Sequence, residues 1–311
     1  MKKVTVLGSI NMDISVSADK MPQKGETVFG KDFAISAGGK GLNQAIACSK
    51  MGADVTFIGC VGSDAFGCDL VKTLKAEKIN TDFVFESQNA PTGTAMIILS
   101  ENDNRIIVNS GANFEVTPKM LDAAQCAFKA GYILLCQLES PLETVVYALK
   151  KAKQCGMVTV LNPAPYTALT KEIYQYTDYI VPNKTECENI LGVEISAQEE
   201  TALCGQLAQT FLTGAIITLG AQGSVYCEKG ANACKQNAIK VKAVDTTAAG
   251  DTFCGALVSA MAHGKSMDNA VIFATAASSL AVTKRGASSS IPNKIDVINL
   301  LKKEGYEYGI Y

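Results

Sequence analysis

The chain has one histidine, His263, in 311 residues. That scarcity excludes a two-histidine metal site and argues against a histidine-based catalytic triad. The 11 cysteines contain no C-x-x-C pair, so structural zinc has no ligand spacing to rest on. An odd cysteine count without a secretion signal predicts reduced thiols and a cytoplasmic protein. No basic run exceeds a lysine pair, and the formal net charge is -2. Neither nucleic acid nor an anionic membrane surface is therefore expected as a partner. No apolar run reaches membrane-spanning length. The opening Met1-Lys2-Lys3-Val4-Thr5-Val6-Leu7-Gly8 is too short in its apolar part for a signal peptide and reads as a first strand. His263 precedes Gly264, where a helix should end, which gives it a capping role.

The length is at the upper limit for one hydrophobic core, and a hydrophobic content of 48% is ordinary for a globular enzyme. Short apolar runs at 4–10, 54–61, 132–136, 158–161, 179–181 and 215–219 alternate with helical patterns. In the helix expected over 42–51, Leu42, Ala45, Ile46 and Ser49 fall on one face, and Gly52 stops it. Non-alternating apolar strands separated by helices predict an α/β fold with a doubly wound, mostly parallel sheet covered on both faces. Two stretches, 26–36 and 92–109, read as strands without intervening helices, the second as a hairpin around Asn102-Asp103-Asn104. They predict a small second sheet inserted from about 15–36 and 92–109 into a single domain spanning 1–311. No repeat, low-complexity segment or Pro/Gly-rich linker interrupts that domain.

The most informative stretch is 244–256. Ala248, Ala249 and Gly250 precede Asp251 at the start of a helical pattern. Small residues let backbone N–H groups approach a ligand, and a helix N-terminus suits a phosphate. A carboxylate beside such a cradle is what a phosphoryl transferase needs to accept a hydroxyl proton. Five further segments stand past strand ends, where open α/β sheets bind ligands. In Gly38-Gly39-Lys40-Gly41-Leu42-Asn43, paired glycines lead a lysine and an amide into a helix. The same pattern also serves as a plain tight turn, and it is not a Walker A loop. In Asn11-Met12-Asp13 two polar residues follow the first strand, as hydroxyl ligands or as an Asx turn. Glu139 precedes Ser140-Pro141, read as N-cap and N1 of the next helix. Asn183 and Glu186 have capping-box spacing and also suit a magnesium–phosphate group acting through water. Thr218, Gly220, Ala221 and Gly223 form a fifth, glycine-spaced loop that suits a nucleotide or a turn into a strand at 224–227.

Taken together, these segments resemble the phosphofructokinase-B-type carbohydrate kinase family over nearly the whole chain, from Leu7 to about Pro292. Residues 38–45 and 245–256 resemble its two signatures. Residues 8–13, 137–143, 162–165 and 183–186 resemble the branch that acts on D-ribose. The resemblance implies ATP-dependent phosphorylation of D-ribose at O5, feeding ribose catabolism. It implies a sugar site of Asn11, Met12, Asp13, Gly39, Lys40, Asn43 and Glu139, with Asp251 as base. Ala248, Ala249 and Gly250 would form the anion hole. The nucleotide would contact Asn183, Thr218, Gly220, Ala221, Gly223, Gly250 and Thr275. Asn183 and Glu186 would help place Mg²⁺. K⁺ would activate from a loop of Asp245, Thr247, Ala281, Lys284, Gly286 and Ser290. The small sheet would be a lid that pairs with its copy in a homodimer.

Two departures bear on specificity. Thr275 stands where many family members have a histidine, and 109–113 matches only in Gly111-Ala112-Asn113. The alternatives are a related kinase for deoxyribose, fructose or a nucleoside, or a non-catalytic sugar sensor on the same scaffold. A nicotinamide dehydrogenase fits less well, because Gly8-Ser9-Ile10-Asn11 replaces the G-x-G-x-x-G turn.

Overall fold

The computed structural model describes residues 2–100, 103–193 and 199–306. The strands are β1 (Val4–Leu7), β2 (Asn11–Ser17), β3 (Lys31–Gly38), β4 (Val55–Gly62), β5 (Asn80–Ser87), β6 (Gly93–Ser100), β7 (Asp103–Asn109), β8 (Ile133–Cys136), β9 (Val158–Leu161), β10 (Tyr179–Ile180), β11 (Gly214–Thr218), β12 (Ser224–Glu228) and β13 (Cys234–Gln236). The α-helices are α1 (Lys40–Lys50), α2 (Ala65–Ala76), α3 (Pro118–Ala123), α4 (Leu142–Gln154), α5 (Lys171–Tyr176), α6 (Lys184–Leu191), α7 (Glu200–Thr210), α8 (Ala249–Ala262), α9 (Met267–Ala281) and α10 (Lys294–Lys303).

Nine strands form one sheet in the order β13-β12-β11-β10-β9-β8-β1-β4-β5. Strands β11 through β5 in that order run parallel, and β12 and β13 add an antiparallel edge. The alternation of each strand divides the core. Ile133 and Leu135 pack with α1, α8 and α9 on one face, while Leu134 and Cys136 pack with α3 and α4 on the other. Both faces are apolar because both are covered, which is why these strands show no polar alternation in sequence. Helix α8 is buried along most of its length against α1 and α9, so its sequence is apolar nearly all round. His263 ends α8, with Nδ1 2.7 Å from the Ser259 carbonyl, the expected cap.

The second sheet has four strands, β3-β2-β6-β7. It contains one strand more than the sequence suggests. Asn11, Met12 and Asp13 are neither a loop nor an Asx turn: they open β2, paired with Gly38, Ala37 and Ser36 of β3. The first strand therefore ends at Leu7, and the chain crosses from one sheet to the other through residues 8–10. Strands β6 and β7 pair as an antiparallel hairpin, and the turn expected at Asn102 lies outside the described residues. Strand β5 also escapes the sequence pattern, because this edge strand is partly exposed along most of its length.

Candidate active site

Strands β1 and β8 are neighbours, yet the chain builds outward from β1 toward β4 on one side and from β8 toward β9 on the other. This reversal opens a crevice at the carboxyl ends of the strands. Ser9, fully buried after β1, ties the crevice together. Its Oγ donates to Glu139 Oε2 at 2.5 Å and accepts from the Gly41 N–H at 3.3 Å, while its carbonyl accepts from Leu42 N–H at 2.9 Å. The Lys40 N–H also donates to Glu139 Oε2, at 3.3 Å. Thus the β1 loop, the β8 loop and the first turn of α1 converge on one carboxylate. The expected cap at Ser140 is not formed. Helix α4 starts at Leu142 with Pro141 in the cap position, and the buried Ser140 hydroxyl has no hydrogen-bond partner among the described residues. The proline carbonyl accepts from Thr144 and Val145 instead.

On the small-sheet side, Asn11 is buried and its Oδ1 accepts from Asn113 Nδ2 at 2.7 Å. Asn113 also accepts from the Ile10 N–H through Oδ1 at 2.8 Å. It is a positioning group to which the sequence reading gave no role. The Met12 side chain joins the apolar core. Asp13 lies over the glycine pair: a Cβ at Gly38 would fall 2.1 Å from Asp13 Oδ2, and one at Gly39, where φ is 91°, 2.9 Å from the Asn11 N–H nitrogen. A side chain at Gly39 would be strained and would strike backbone, and one at Gly38 would displace the Asp13 carboxylate, so the glycine pair lets that carboxylate lie against the start of α1. Burial, followed by the charges of Glu139 and Asp251, pushes the Asp13 carboxyl up to about 7.

Asp251 occupies the first turn of α8, directly behind Ala248, which holds a left-handed φ of 58° at the cap. A non-glycine residue in that region stores strain, a recurrent feature of ligand-binding turns. The Ala249 N–H is spent on the Thr246 carbonyl at 3.2 Å. The N–H groups of Ala248, Gly250 and Asp251 make no backbone bond to the described residues and are left for an anion. The Asp251 carboxylate accepts from Asn43 Nδ2 at 3.1 Å and from Gln44 Nε2 at 2.9 Å. Asn43 Oδ1 is buried and has no partner among the described residues, an unsatisfied acceptor beside the carboxylate.

A cleft lies in front of Asp251, lined by Lys40, Asn183, Glu186, Thr218 and residues 248–250 among others. Burial works against the charge on Lys40, but Asp251, Glu139 and Glu186 outweigh it and hold the ammonium above the ordinary lysine value. Burial raises the Glu186 carboxyl, opposed by the Asn183 N–H and Lys40. Asn183 and Glu186 complete a reciprocal capping box on α6, both bonds at 2.8 Å. The capping role and a place on the cleft wall coexist. Among the described residues no three His, Cys, Asp or Glu side chains cluster for direct metal ligation. A divalent ion here would keep most of its waters, as Mg²⁺ does.

Other sequence-selected residues stand apart from the cleft wall. Gly220 and Ala221 are exposed in the tight loop between β11 and β12, and Gly223 closes that hairpin through its carbonyl to Leu219 N–H at 2.8 Å. Thr275 is buried on α9, and its hydroxyl has no partner among the described residues. Asp245 Oδ1 accepts from Thr247 N–H at 2.9 Å and Thr247 Oγ1 at 2.6 Å, and Oδ2 from Gly286 N–H at 2.9 Å. Burial opposes this charge, but those donors outweigh it and hold the carboxyl below its usual range. Ser290 is buried on its own turn, its Oγ bonded to the Ala287 carbonyl, and the Lys284 N–H is bonded to the Ala281 carbonyl.

Comparison with known proteins agrees with this geometry. The family described as pfkB family carbohydrate kinase matches residues 1–294. A ribokinase of Haemophilus influenzae is 40% identical over 309 residues, covering 97% of this chain and 99% of that protein. A ribokinase of Bacillus subtilis is 38% identical, covering 97% and 100%. Among solved structures, the ribokinase of Arabidopsis thaliana complexed with ribose and ATP superposes with a TM-score of 0.88 at 31% identity, covering 97% of this chain and 99% of that one.

Proposed function

The chain belongs to the pfkB family of carbohydrate kinases, and from that premise we propose that it transfers the γ-phosphoryl group of ATP to O5 of D-ribose. The observation that carries the reading is the juxtaposition of Asp251, Lys40 and the N-terminus of α8 in one cleft. Asp251 accepts the proton of the attacking hydroxyl. In a loose transition state the hydroxyl becomes acidic late, so the orientation of this carboxylate matters more than its basicity. Lys40 and the free N–H groups at the start of α8 stabilise charge on the transferred group, the dominant form of catalysis when little covalent chemistry falls to the protein. Asn11, Asp13, Asn43 and Glu139 hold the sugar hydroxyls.

Asn183 and Glu186 would hold Mg²⁺ through water, where it would neutralise phosphate charge. The Asp245 carboxylate and the carbonyls of the neighbouring loop would take K⁺, which prefers many weak oxygen ligands. The loop from Thr218 to Gly223 and Thr275 would flank the nucleotide. The small sheet would act as a lid that excludes competing water. Its residues Ile35, Ile14, Met96 and Ile107 form one row across four strands, and three of them are half exposed or more. An uncovered apolar row of this kind supports a homodimer in which two lids cover each other. Three exposed free thiols, Cys68, Cys126 and Cys234, favour the reducing cytoplasm.

The test is ADP release over a panel of pentoses, hexoses and nucleosides, with and without K⁺. The reading expects the highest kcat/KM with D-ribose and stimulation by K⁺. A higher kcat/KM with another sugar would reassign the substrate, and sugar binding without ADP release would make the protein a sensor.

A further inference from the structure

Behind the reactive carboxylate lies a chain of three amides from three separate parts of the sequence. Gln44 is fully buried on α1. Its Nε2 donates to Asp251 Oδ1 at 2.9 Å and to Asn162 Oδ1 at 3.0 Å, while its Oε1 accepts from Gln137 Nε2 at 2.7 Å. Asn162 is itself fixed, because its Nδ2 donates to the Val181 carbonyl at 2.8 Å. Both hydrogens of the Gln44 amide are thus used on acceptors, and its oxygen faces a donor. Flipping the amide would set its oxygen against two acceptors, an arrangement a dry interior penalises. The backbone beneath is equally constrained: a Cβ at Gly255 of α8 would lie 2.7 Å from the Gln44 carbonyl oxygen and 2.4 Å from Ala47 Cβ. Helices α1 and α8 therefore meet at a fixed spacing, with Gln44 and Asp251 on their facing sides.

Resting on the kinase reading above, we infer that Gln44, locked by Gln137 and Asn162, is a positioning residue that sets the tilt of the Asp251 carboxylate toward the sugar hydroxyl. Asn43 holds the second carboxylate oxygen at 3.1 Å, so the pair of amides fixes both oxygens and leaves their remaining lone pairs to the cleft. Gln44 touches neither sugar nor nucleotide in this arrangement; it acts through Asp251. Loss of its N–H lets the carboxylate rotate away from the attacking hydroxyl. Substrate affinity is set by other groups and survives.

The experiment compares wild type with Gln44→Met and Gln137→Met in steady-state ADP release with ribose and ATP, after circular dichroism and thermal melting establish folding. Gln44→Met is expected to lower kcat about 10- to 100-fold, the scale of a misoriented catalytic group, with both KM values within about threefold of wild type. Gln137→Met removes one of the three bonds that hold the Gln44 amide, loosens it without reversing it, and is expected to shift kcat the same way by less. If Gln44→Met does not fold, Gln137→Met carries the test. A folded variant with unchanged kcat, or one that raises KM alone, overturns the positioning role while the kinase reading stands. Wild type that releases no ADP with ribose overturns both.

Discussion

Lowering the pH from 8 to 6 should weaken ribose binding through one residue, Asp13. Its carboxyl stands at about 7, raised by burial and by the charges of Glu139 and Asp251. The ionised carboxylate accepts strongly from sugar hydroxyls through both oxygens, whereas protonation turns one oxygen into a donor and removes the charge that strengthens both bonds. If ribose requires that form, the apparent Kd grows as the protonated fraction grows: about twofold at pH 7 and about tenfold at pH 6, with little change above pH 8. Titration calorimetry with ribose alone, at fixed ionic strength, measures this directly. In Asp13→Asn the affinity is lower and the slope between pH 6 and 8 disappears. The same shift has a stability consequence of opposite sign. The folded value lies above the unfolded one, so the native state is favoured below the unfolded carboxylate value and loses that advantage as pH rises to about 7. Ionised Asp13 then costs the fold at most about 4 kcal/mol, less to the extent that water reaches it. Asp13→Asn should therefore melt higher than wild type at pH 8 and no higher at pH 4. A ribose Kd that is flat from pH 8 to 6 in wild type would refute the assignment of Asp13 as an ionised sugar ligand.

Asp251→Asn should lower kcat at least about 100-fold, the scale of a positioned acid–base group, while nucleotide binding measured by calorimetry is retained; near-normal turnover would remove Asp251 from the chemistry. Asn113→Ala frees the Asn11 amide that it now holds and should raise the KM for ribose about tenfold with a smaller change in kcat, the pattern of lost ground-state binding. Asp245→Asn removes the charge beside the 245–247 turn and Gly286 and should abolish the response of kcat to added K⁺, read as the ratio of rates in KCl and in a large inert cation.

The central parallel strands were legible because both faces are buried, so β4, β8, β9 and β11 appear as mostly apolar runs with no more than an occasional threonine. Where one face meets water the signal failed: β5 alternates, and β2 begins with two polar residues that looked like a loop after the first strand. Asn11 and Asp13 could be selected as ligands by type, but their place on a strand of the second sheet depends on pairing with Gly38 and Ser36, which sequence spacing does not reveal. Asp251 was legible because small residues, a carboxylate and a helix start occur within one short segment. The amides behind it were not. Gln44, Gln137 and Asn162 carry no charge, are far apart in the chain, and each alone resembles an ordinary polar residue; only the fold brings them to 3 Å or less. Asn113 escaped for the same reason. Ser140 was overread, because Ser-Pro at a helix start fits a cap pattern that the backbone here satisfies with the proline carbonyl.

Transfer of a phosphoryl group from ATP to O5 of ribose leaves a product whose phosphorus spectrum identifies it. ³¹P NMR of wild type incubated with ATP, Mg²⁺, K⁺ and D-ribose tests that transfer most directly. Such transfer entails stoichiometric loss of the γ-phosphate signal and appearance of a phosphomonoester whose phosphorus couples to the protons on C5. Inorganic phosphate as the sole product, or a monoester coupled to the anomeric proton, would contradict it.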